Sequence, residues 1–330
     1  MHKTIDRLIN AESDSEIVYQ KRLKIGIERT SEFEKKLLAT HAVNVGLKCG
    51  HGCYYCYTPS LLRTHYFFKE IGKSPYERGY SIVDPNVVSR VAKDVKKIHK
   101  DDMVMVCTYT DAWAPEPRKF NLGRRILETL LKQGEFQVRI LTKNTSIKKD
   151  FDFLKKYSEK VMLGFSITAL PNKKAIRILE PNAPRNKDRI STLIEARNKY
   201  NLRTYAMLCP CLPKITSSYS SLKDLMLSIL PAQPEDIWLE PINSRGPILC
   251  NISDTLQKHG YYKIARALDN IRHRDEWSRY ALTLTQNSLN AASKLNLLDK
   301  LHILLYKTNL QERHIETLKK SDTNRNIVWL

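Results

Sequence analysis

The chain has 330 residues, of which 42% are hydrophobic and 27% are charged, a composition typical of an ordinary globular protein and not of a disordered one. Lysine and arginine outnumber aspartate and glutamate by 55 to 35, which gives a formal charge of +20. This excess indicates a polyanionic partner, with nucleic acid the first candidate, although a lysine-rich proteome produces the same charge without such a partner.

The termini and the cysteines bear on where the protein works. The N-terminal stretch MHKTIDRLINAESDSEIVYQKRLK is charged throughout and lacks the apolar core of a signal peptide. No apolar run approaches the roughly 18 residues of a membrane span, so we expect a cytoplasmic protein with no membrane partner. The seven cysteines are odd in number and unevenly spaced, which argues against a disulfide framework and favours metal or catalytic use.

Residues 1–38 are predicted to form one or two charged helices, and the segments after them alternate between strand and helix. The first β-rich run is THAVNV, at residues 40–45. The others are MVMVCTYT, FQVRILTK, KVMLGFSIT, LRTYAMLCP and DIWLEP, which begin at residues 103, 136, 160, 202 and 236. Amphipathic segments of helix length separate these six runs. The alternation predicts an α/β fold with parallel strands and right-handed crossovers, either an open sheet or a barrel.

After residue 250 the pattern is helical only, in SDTLQKHGYYKIARALDNI, RDEWSRYALTLTQNSLNAASK and LLDKLHILLYKT. We therefore predict that the parallel sheet ends near EPINSRG, at residues 240–246. The predicted organisation is an N-terminal helical segment at residues 1–38, a core domain at 39–250 and a helical C-terminal extension at 251–330.

Three of the cysteines lie within eight positions, in the segment KCGHGCYYCYTP at residues 48–59. Cys49, Cys53 and Cys56 follow the first predicted strand, and ligands of parallel α/β folds collect where the strands end. The glycines around them give the loop the backbone freedom to wrap a compact group. Three thiolates can hold three irons of a [4Fe–4S] cluster, which leaves the fourth iron open to another ligand.

The residues alone leave two other uses of this loop open. Cys49, His51, Cys53 and Cys56 could form a Cys3His zinc site, although structural zinc sites more often recruit a second ligand pair from a distance. The other alternative is a disulfide within the loop.

The form CxxxCxxC, with an aromatic residue before the last cysteine, resembles the radical S-adenosylmethionine (radical SAM) superfamily. Within it, the chain is similar to the spore photoproduct lyase and DNA repair photolyase-like group over about residues 40–246. The other matching segments are TDAWAPEP, ILTKN, GFSIT, RILEPNAPRNKDRISTLIEARNKYN and WLEPINSRG. The resemblance implies that the core domain is a partial (βα)6 radical SAM barrel, carrying the N-terminal helical segment and the helical C-terminal extension.

The resemblance also implies cofactors and residue roles. The three loop cysteines would ligate the cluster, and reductive cleavage of S-adenosylmethionine (SAM) would give a 5′-deoxyadenosyl radical that abstracts hydrogen from the substrate. Lys143 stands where the family places a basic residue for the SAM carboxylate, Ser166 would bond the ribose, and Asp111 would lie near the amino group. The alternatives are a solvated lysine, a hydroxyl that caps the backbone, and an aspartate that starts the next helix.

Three further residues resemble those of spore photoproduct lyase. Cys107 ends the second predicted strand, where that lyase has a cysteine that donates hydrogen to the product radical; one extra residue here separates the cysteine from the aspartate. Tyr55 and Tyr57 flank Cys56 and match tyrosines proposed to relay the radical back toward the cofactor. The alternatives are a small buried strand residue for Cys107 and ordinary packing for the tyrosines.

Cys209 and Cys211, at the end of the fifth predicted strand, depart from the family pattern, which more often has an apolar, proline-rich stretch there. They could act as redox or hydrogen-transfer thiols, form a metal ligand pair, or pack the strand end.

Basic runs such as KDVKKIHK and NIRHRDEWSR, with aromatic residues in RTHYFFK (63–69) and at Trp113, favour contacts with phosphates and bases. The leading hypothesis is a radical SAM enzyme that repairs or alters a base in DNA, with flavodoxin or ferredoxin as electron donor. The first alternative is a radical SAM enzyme that acts on RNA or a peptide. The second is a non-enzymatic, metal-stabilised protein that binds nucleic acid.

Overall fold

A computed structural model describes the backbone at residues 7–8 and the chain at residues 17–244 and 246–330. The chain folds as two compact units. The first comprises the described residues up to Gly52 together with Cys56–Leu163, and the second comprises Cys53–Tyr55 together with Gly164–Leu330. No helix in the described part of the chain is both long and apolar enough to cross a membrane.

The first unit contains two sheets and short helices. Its strands are β1 (Arg7–Leu8), β2 (Ile17–Gln20), β3 (Glu28–Arg29), β4 (His41–Val43), β5 (Gly46–Lys48), β6 (Tyr80–Val83), β7 (Met103–Val106), β8 (Gln137–Thr142) and the start of β9 (Val161–Ser166). Its helices are α1 (Ser31–Lys35), α2 (Thr58–Leu61), α3 (Tyr66–Glu70), α4 (Val87–Asp94), α5 (Pro115–Lys119), α6 (Leu122–Gln133) and α7 (Phe151–Lys155).

The larger sheet of this unit is built on parallel strands. β4 pairs in parallel with β7, and β7 pairs in parallel with β8, while β3 lies antiparallel on the outside of β4. Val104, Met105 and Val106 of β7 are completely buried, as expected for strands that are covered on both faces. The smaller sheet has the order β1-β2-β6-β5.

The second unit continues the alternation of strands and helices. It contains the end of β9, then β10 (Arg203–Cys211), β11 (Asp236–Pro241), β12 (Leu301–Leu305) and β13 (Ile327–Trp329), in that spatial order. Its helices are α8 (Lys174–Leu179), α9 (Asn186–Tyr200), α10 (Tyr219–Ile229), α11 (Ile248–Lys258), α12 (Tyr262–Asn270), α13 (Arg274–Lys294) and α14 (Glu312–Ser321). A Cβ at Gly164 of β9 would lie 2.2 Å from the ring of Tyr205, so glycine there lets the β10 tyrosine pack against the strand.

The α/β class is confirmed, and so are all six predicted strands, which appear as β4, β7, β8, β9, β10 and β11. The prediction of charged helices at residues 1–38 is wrong for the described residues, where β2 and β3 are strands and only α1 is helical. β2 is a strand because it pairs in parallel with β6, placing Ile17 opposite Tyr80. A partner that lies so far along the chain leaves no local pattern in the sequence.

The C-terminal region is richer in strands than predicted. The first two predicted helical segments appear as α11, α12 and α13, but the prediction for the third, LLDKLHILLYKT, is wrong because its residues Leu301–Leu305 form β12. β12 and β13 extend the parallel order beyond β11. The sheet therefore does not end near residue 246. β12 has the sequence LHILL, a short apolar run that periodicity alone does not distinguish from a buried helical segment.

Candidate functional site

The cysteine loop leaves the small sheet of the first unit at the end of β5. A Cβ at Gly46 would lie 1.9 Å from the carbonyl oxygen of Ile82, so β5 approaches β6 this closely only with glycine at that position. Gly52 has a φ of 62°, a left-handed conformation that glycine adopts without steric cost. This turn falls between Cys49 and Cys53. The sequence predicted that the loop directly follows the first parallel strand, β4. In the structure, β5 comes between β4 and the loop along the chain.

The thiols of the loop suit a cluster by their chemistry. Cys49, Cys53 and Cys56 are each half-buried, and no cysteine of the described chain forms a disulfide. The loop offers three soft sulfur donors and no fourth cysteine. This number suits a [4Fe–4S] cluster with one open iron better than a structural zinc site, which needs four protein ligands. In the part of the chain that the structure describes, no three potential ligands are grouped closely enough for a single metal ion.

His51, between the first two cysteines, is buried and lies close to two polar side chains. Its Nδ1 lies 3.7 Å from an oxygen of Asp111, and its Nε2 lies 3.3 Å from the amide nitrogen of Asn144. The neighbouring Gly50 donates its N–H to the Glu116 carboxylate over 3.2 Å. These contacts anchor the loop from outside and do not support His51 as a fourth zinc ligand.

Asp111 lies at the centre of a set of hydrogen bonds in the first unit. Its carboxylate accepts the Thr142 hydroxyl at 2.8 Å, the backbone N–H of Lys143 at 2.8 Å and the backbone N–H of Trp113 at 3.0 Å. The structure thus brings Asp111 next to the backbone of Lys143, one residue past the end of β8, and the Lys143 side chain is half-buried. The bond to Trp113, two residues on, fixes the turn after β7. Asp111 does not cap the next helix, because the N-cap of α5 is Ala114.

Cys107 occupies an unusual backbone conformation directly after β7. Its φ is 77°, which is rare for a residue with a side chain, and the conformation is held by an N–H bond of 2.9 Å to the Val43 carbonyl. Its Sγ accepts the N–H of Ala112 at 3.0 Å. Burial, followed by the negative charge of Asp111 and of Cys49, raises the pKa of the Cys107 thiol well above its ordinary value. The thiol therefore keeps its hydrogen at neutral pH.

The loop that follows Cys107 is shaped by two polar side chains. The Asn44 amide oxygen accepts the backbone N–H groups of Thr108 at 3.0 Å and Tyr109 at 2.7 Å. Tyr57 donates its hydroxyl to the Thr108 carbonyl over 2.7 Å. The phenol of Tyr57 is thus bonded to the residue that follows Cys107.

In the second unit, Tyr55 is bound into a buried ion pair. Its hydroxyl donates to the Glu180 carboxylate and lies 3.1 Å from the Thr168 hydroxyl. Glu180 in turn pairs with Arg189, which has no exposed side-chain surface. Burial first, and then the charge of Glu180, raise the pKa of Tyr55 well above its ordinary value, so that the phenol stays protonated.

Ser166 belongs to the same set of contacts. Its carbonyl accepts a bond of 3.0 Å from Arg189, and its hydroxyl donates to the Cys209 carbonyl over 3.1 Å. The Cys209 thiol is half-buried and lies 3.5 Å from a carboxylate oxygen of Glu240. Cys211 is buried, and this burial raises the pKa of its thiol, which agrees with strand-end packing for that residue.

Sequence reasoning missed five polar residues that contact the cysteine loop or the candidate residues. These are Asn44, Glu116, Asn144, Glu180 and Arg189, all at least half-buried, with the contacts described above. One signal was visible, because Asn44 interrupts the apolar run AVNV and Glu180 interrupts RILEP. Their partners were not visible, since Asn44 and Tyr55 bond to residues far along the chain.

Comparison with known proteins gives matches in sequence. The model of the family described as the radical SAM superfamily matches residues 43–219. An uncharacterized protein of Acidianus two-tailed virus is 27% identical over 217 residues, which are 64% of this chain and 70% of that protein. An uncharacterized protein of Methanocaldococcus jannaschii is 25% identical over 177 residues, which are 54% of this chain and 62% of that protein. The chain thus spans about two thirds of the length of these relatives.

Solved structures give matches in fold. A spore photoproduct lyase variant superposes with a TM-score of 0.59 at 14% identity, covering 87% of this chain and 80% of that chain. Another variant of that lyase, with bound AdoMet and dinucleoside spore photoproduct, gives a TM-score of 0.52 at 15% identity, covering 73% of this chain and 66% of that chain. Identities this low show a shared fold and nothing finer.

Proposed function

Since the chain belongs to the radical SAM superfamily, we propose that it is a radical SAM enzyme that acts on DNA, by a reaction of the spore photoproduct lyase type that repairs or alters a base. The observation that carries this proposal is the buried Cys107 thiol, which keeps its hydrogen, with the Tyr57 phenol bonded to the next residue. A reaction that returns hydrogen to a product radical needs a donor of this kind. The electron would come from a flavodoxin or a ferredoxin.

The cofactors are assigned to the loop by its donor chemistry. Cys49, Cys53 and Cys56 would hold the [4Fe–4S] cluster, and the three half-buried thiols fit that group. When bound, the cluster supplies the electron that cleaves SAM into a radical able to abstract hydrogen from the substrate. The contacts of His51 and Gly50 would keep the loop in one conformation around the cluster.

Three side chains would bind SAM. The ammonium group of Lys143 suits the SAM carboxylate, and the Asp111 carboxylate, already oriented by three hydrogen bonds, suits the SAM amino group. Ser166 would bond the ribose hydroxyls. Its backbone is fixed by Arg189, so its hydroxyl is presented from a rigid strand end.

Hydrogen transfer would use two kinds of side chain. The Cys107 thiol would give its hydrogen to the product radical, because an S–H bond is weak enough for a carbon radical to break. Tyr57 and Tyr55 would then give hydrogen in turn to the Cys107 thiyl radical, so that the radical is relayed back toward the cofactor. Both phenols have their hydroxyl hydrogens directed to named acceptors, Thr108 for Tyr57 and Glu180 for Tyr55.

Two observations support DNA as the substrate. The charge of +20 favours a polyanion, and a lyase of similar fold has been solved with a bound dinucleoside spore photoproduct. RNA and peptides are the competing substrates, and both can be placed in the same assay.

The test is anaerobic turnover of reconstituted protein with SAM, a reductant and an oligonucleotide that carries the spore photoproduct. We expect loss of the photoproduct together with formation of 5′-deoxyadenosine, and neither with a Cys56→Ala control. If 5′-deoxyadenosine forms but the DNA is unchanged, while RNA or a peptide is altered, then the DNA assignment is wrong.

A further inference from the structure

Helix α3 presents an aromatic surface that the proposed chemistry does not use. The helix buries Phe67 and Phe68 in a small core with Leu47, Tyr80 and Ile82 of the β5–β6 pair. The residue before them faces outward, since Tyr66 is 48% exposed. The helix is therefore fixed to the small sheet by two phenylalanines and leaves a tyrosine at the surface.

Tyr66 is part of an ordered group and not an isolated exposed ring. The His65 ring stacks on it with centroids 5.0 Å apart and an interplanar angle of 17°. The Lys21 ammonium lies 4.7 Å from the centroid of the Tyr66 ring. Lys24, whose positive charge also acts on His65, lies on the same segment as Lys21. We name His65, Tyr66, Lys21 and Lys24 the aromatic–basic platform.

The histidine of the platform is neutral at physiological pH. Partial burial, followed by the positive charges of Lys21 and Lys24, lowers the pKa of His65. Its Nδ1 accepts the backbone N–H of Phe67 at 3.3 Å, which fixes the ring at the start of α3. The platform thus combines an uncharged aromatic stack with two lysines from an earlier segment of the chain, Lys21 and Lys24.

We propose that the aromatic–basic platform binds unpaired nucleotides of DNA, with a base stacked on the His65–Tyr66 pair and the adjacent phosphates contacted by Lys21 and Lys24. Every nucleobase has a π face, so stacking of this kind tolerates any sequence, and lysines beside the rings match the phosphates that accompany each base. The proposal rests on nucleic acid being the substrate and names the surface that holds the strand.

The position of the platform along the chain fits this role. Tyr66 lies ten residues after Cys56, and both belong to the first unit. A radical enzyme that acts on a base must hold the strand on which that base lies, and access to a base requires unstacked nucleotides. A surface that prefers unpaired nucleotides serves that need.

The chain supplies a matched control elsewhere. Tyr219, in the second unit, is 38% exposed and also has a lysine over its ring, with Lys223 5.9 Å from the centroid. Tyr219→Ala removes a partly exposed tyrosine that also has a lysine neighbour, but from outside the platform.

The experiment measures binding of a fluorescein-labelled oligothymidylate to the full chain by anisotropy over a range of salt concentrations. Tyr66→Ala is expected to weaken binding on the order of 10-fold, as is typical for one base–aromatic stack, and Tyr66→Phe to retain it. The double change Lys21→Gln with Lys24→Gln is expected to lower the slope of log Kd against log salt by about 0.7 for each phosphate that a lysine no longer neutralises. Tyr219→Ala is expected to bind as the unaltered chain does.

Three results would overturn the proposal. If the unaltered chain binds the oligonucleotide but Tyr66→Ala binds equally well, the platform is not the site, although the chain still binds DNA. Equal losses of affinity in Tyr66→Ala and Tyr219→Ala would show a general surface effect. If the unaltered chain fails to bind DNA at low salt, both the platform and the DNA substrate are refuted.

Discussion

Replacing Arg189 by methionine tests most sharply how the buried pair with Glu180 stabilises the second unit. The guanidinium group is completely buried and pairs with Glu180, and it also donates to Asn186 at 3.1 Å and to the Ser166 carbonyl at 3.0 Å. Methionine fills much of the same space but leaves the Glu180 carboxylate buried without its countercharge.

The magnitude follows from that burial. Removing one partner of a buried ion pair costs about 3–5 kcal/mol of unfolding free energy, because the charge that remains is uncompensated. The double change Arg189→Met with Glu180→Gln leaves no charge behind and should lose less than the sum of the two single changes. The matched control is Arg203→Met, since Arg203 pairs with Glu235 at the surface, with side chains 35% and 42% exposed, where a pair contributes less than about 1 kcal/mol.

Urea unfolding followed by far-UV circular dichroism measures these losses, and SAM binding by the folded variant shows whether Ser166 has moved. A loss in Arg189→Met no larger than that in Arg203→Met would refute the reasoning. So would a double variant whose loss equals the sum of the single losses.

Three further predictions concern hydrogen transfer. Cys107→Ala should still cleave SAM to 5′-deoxyadenosine but give an altered product by mass spectrometry; an unchanged product removes the donor role. Because the folded-state pKa of Cys107 is raised, its contribution to stability should be present below about pH 8.5, the ordinary thiol pKa, and lost as the pH rises further. Urea unfolding at pH 7 and about pH 9.5 should show this loss in the unaltered chain and less of it in Cys107→Ala; equal losses contradict the raised pKa. Tyr57→Phe should raise the ratio of 5′-deoxyadenosine to product while leaving stability nearly unchanged, and the same ratio as in the unaltered chain would exclude Tyr57 from the relay.

The parallel strands could be predicted because each is a short apolar run that is buried on both faces. β9, VMLGFS, is buried at every position, and such a run carries its own signal. β2 and β12 carry no such signal, since IVYQ is short and lies among charged residues and LHILL suits either a helix or a strand. Their conformation is decided by pairing with β6 and β11, which lie far away in the sequence.

The candidate site residues likewise fall into those that the sequence could name and those that only the structure shows. The loop cysteines could be named from their spacing, whereas Cys107 could be named only from the resemblance to spore photoproduct lyase. The positive φ of Cys107 and the pairing of Tyr55 with Glu180 could not be foreseen, because each depends on contacts between distant segments. Spacing and resemblance therefore name the candidate reactive groups, whereas the residues that contact them appear only in the folded chain.

The central claim is that the three loop cysteines hold a redox cluster that cleaves SAM, and electron paramagnetic resonance tests it most directly. The protein is reconstituted anaerobically with iron and sulfide, reduced with dithionite, and measured with and without SAM, with 5′-deoxyadenosine assayed alongside. We predict a [4Fe–4S]⁺ signal that shifts when SAM is added, with 5′-deoxyadenosine formed, and loss of both in Cys56→Ala. Tightly bound zinc, with no cluster signal and no 5′-deoxyadenosine, would contradict the account.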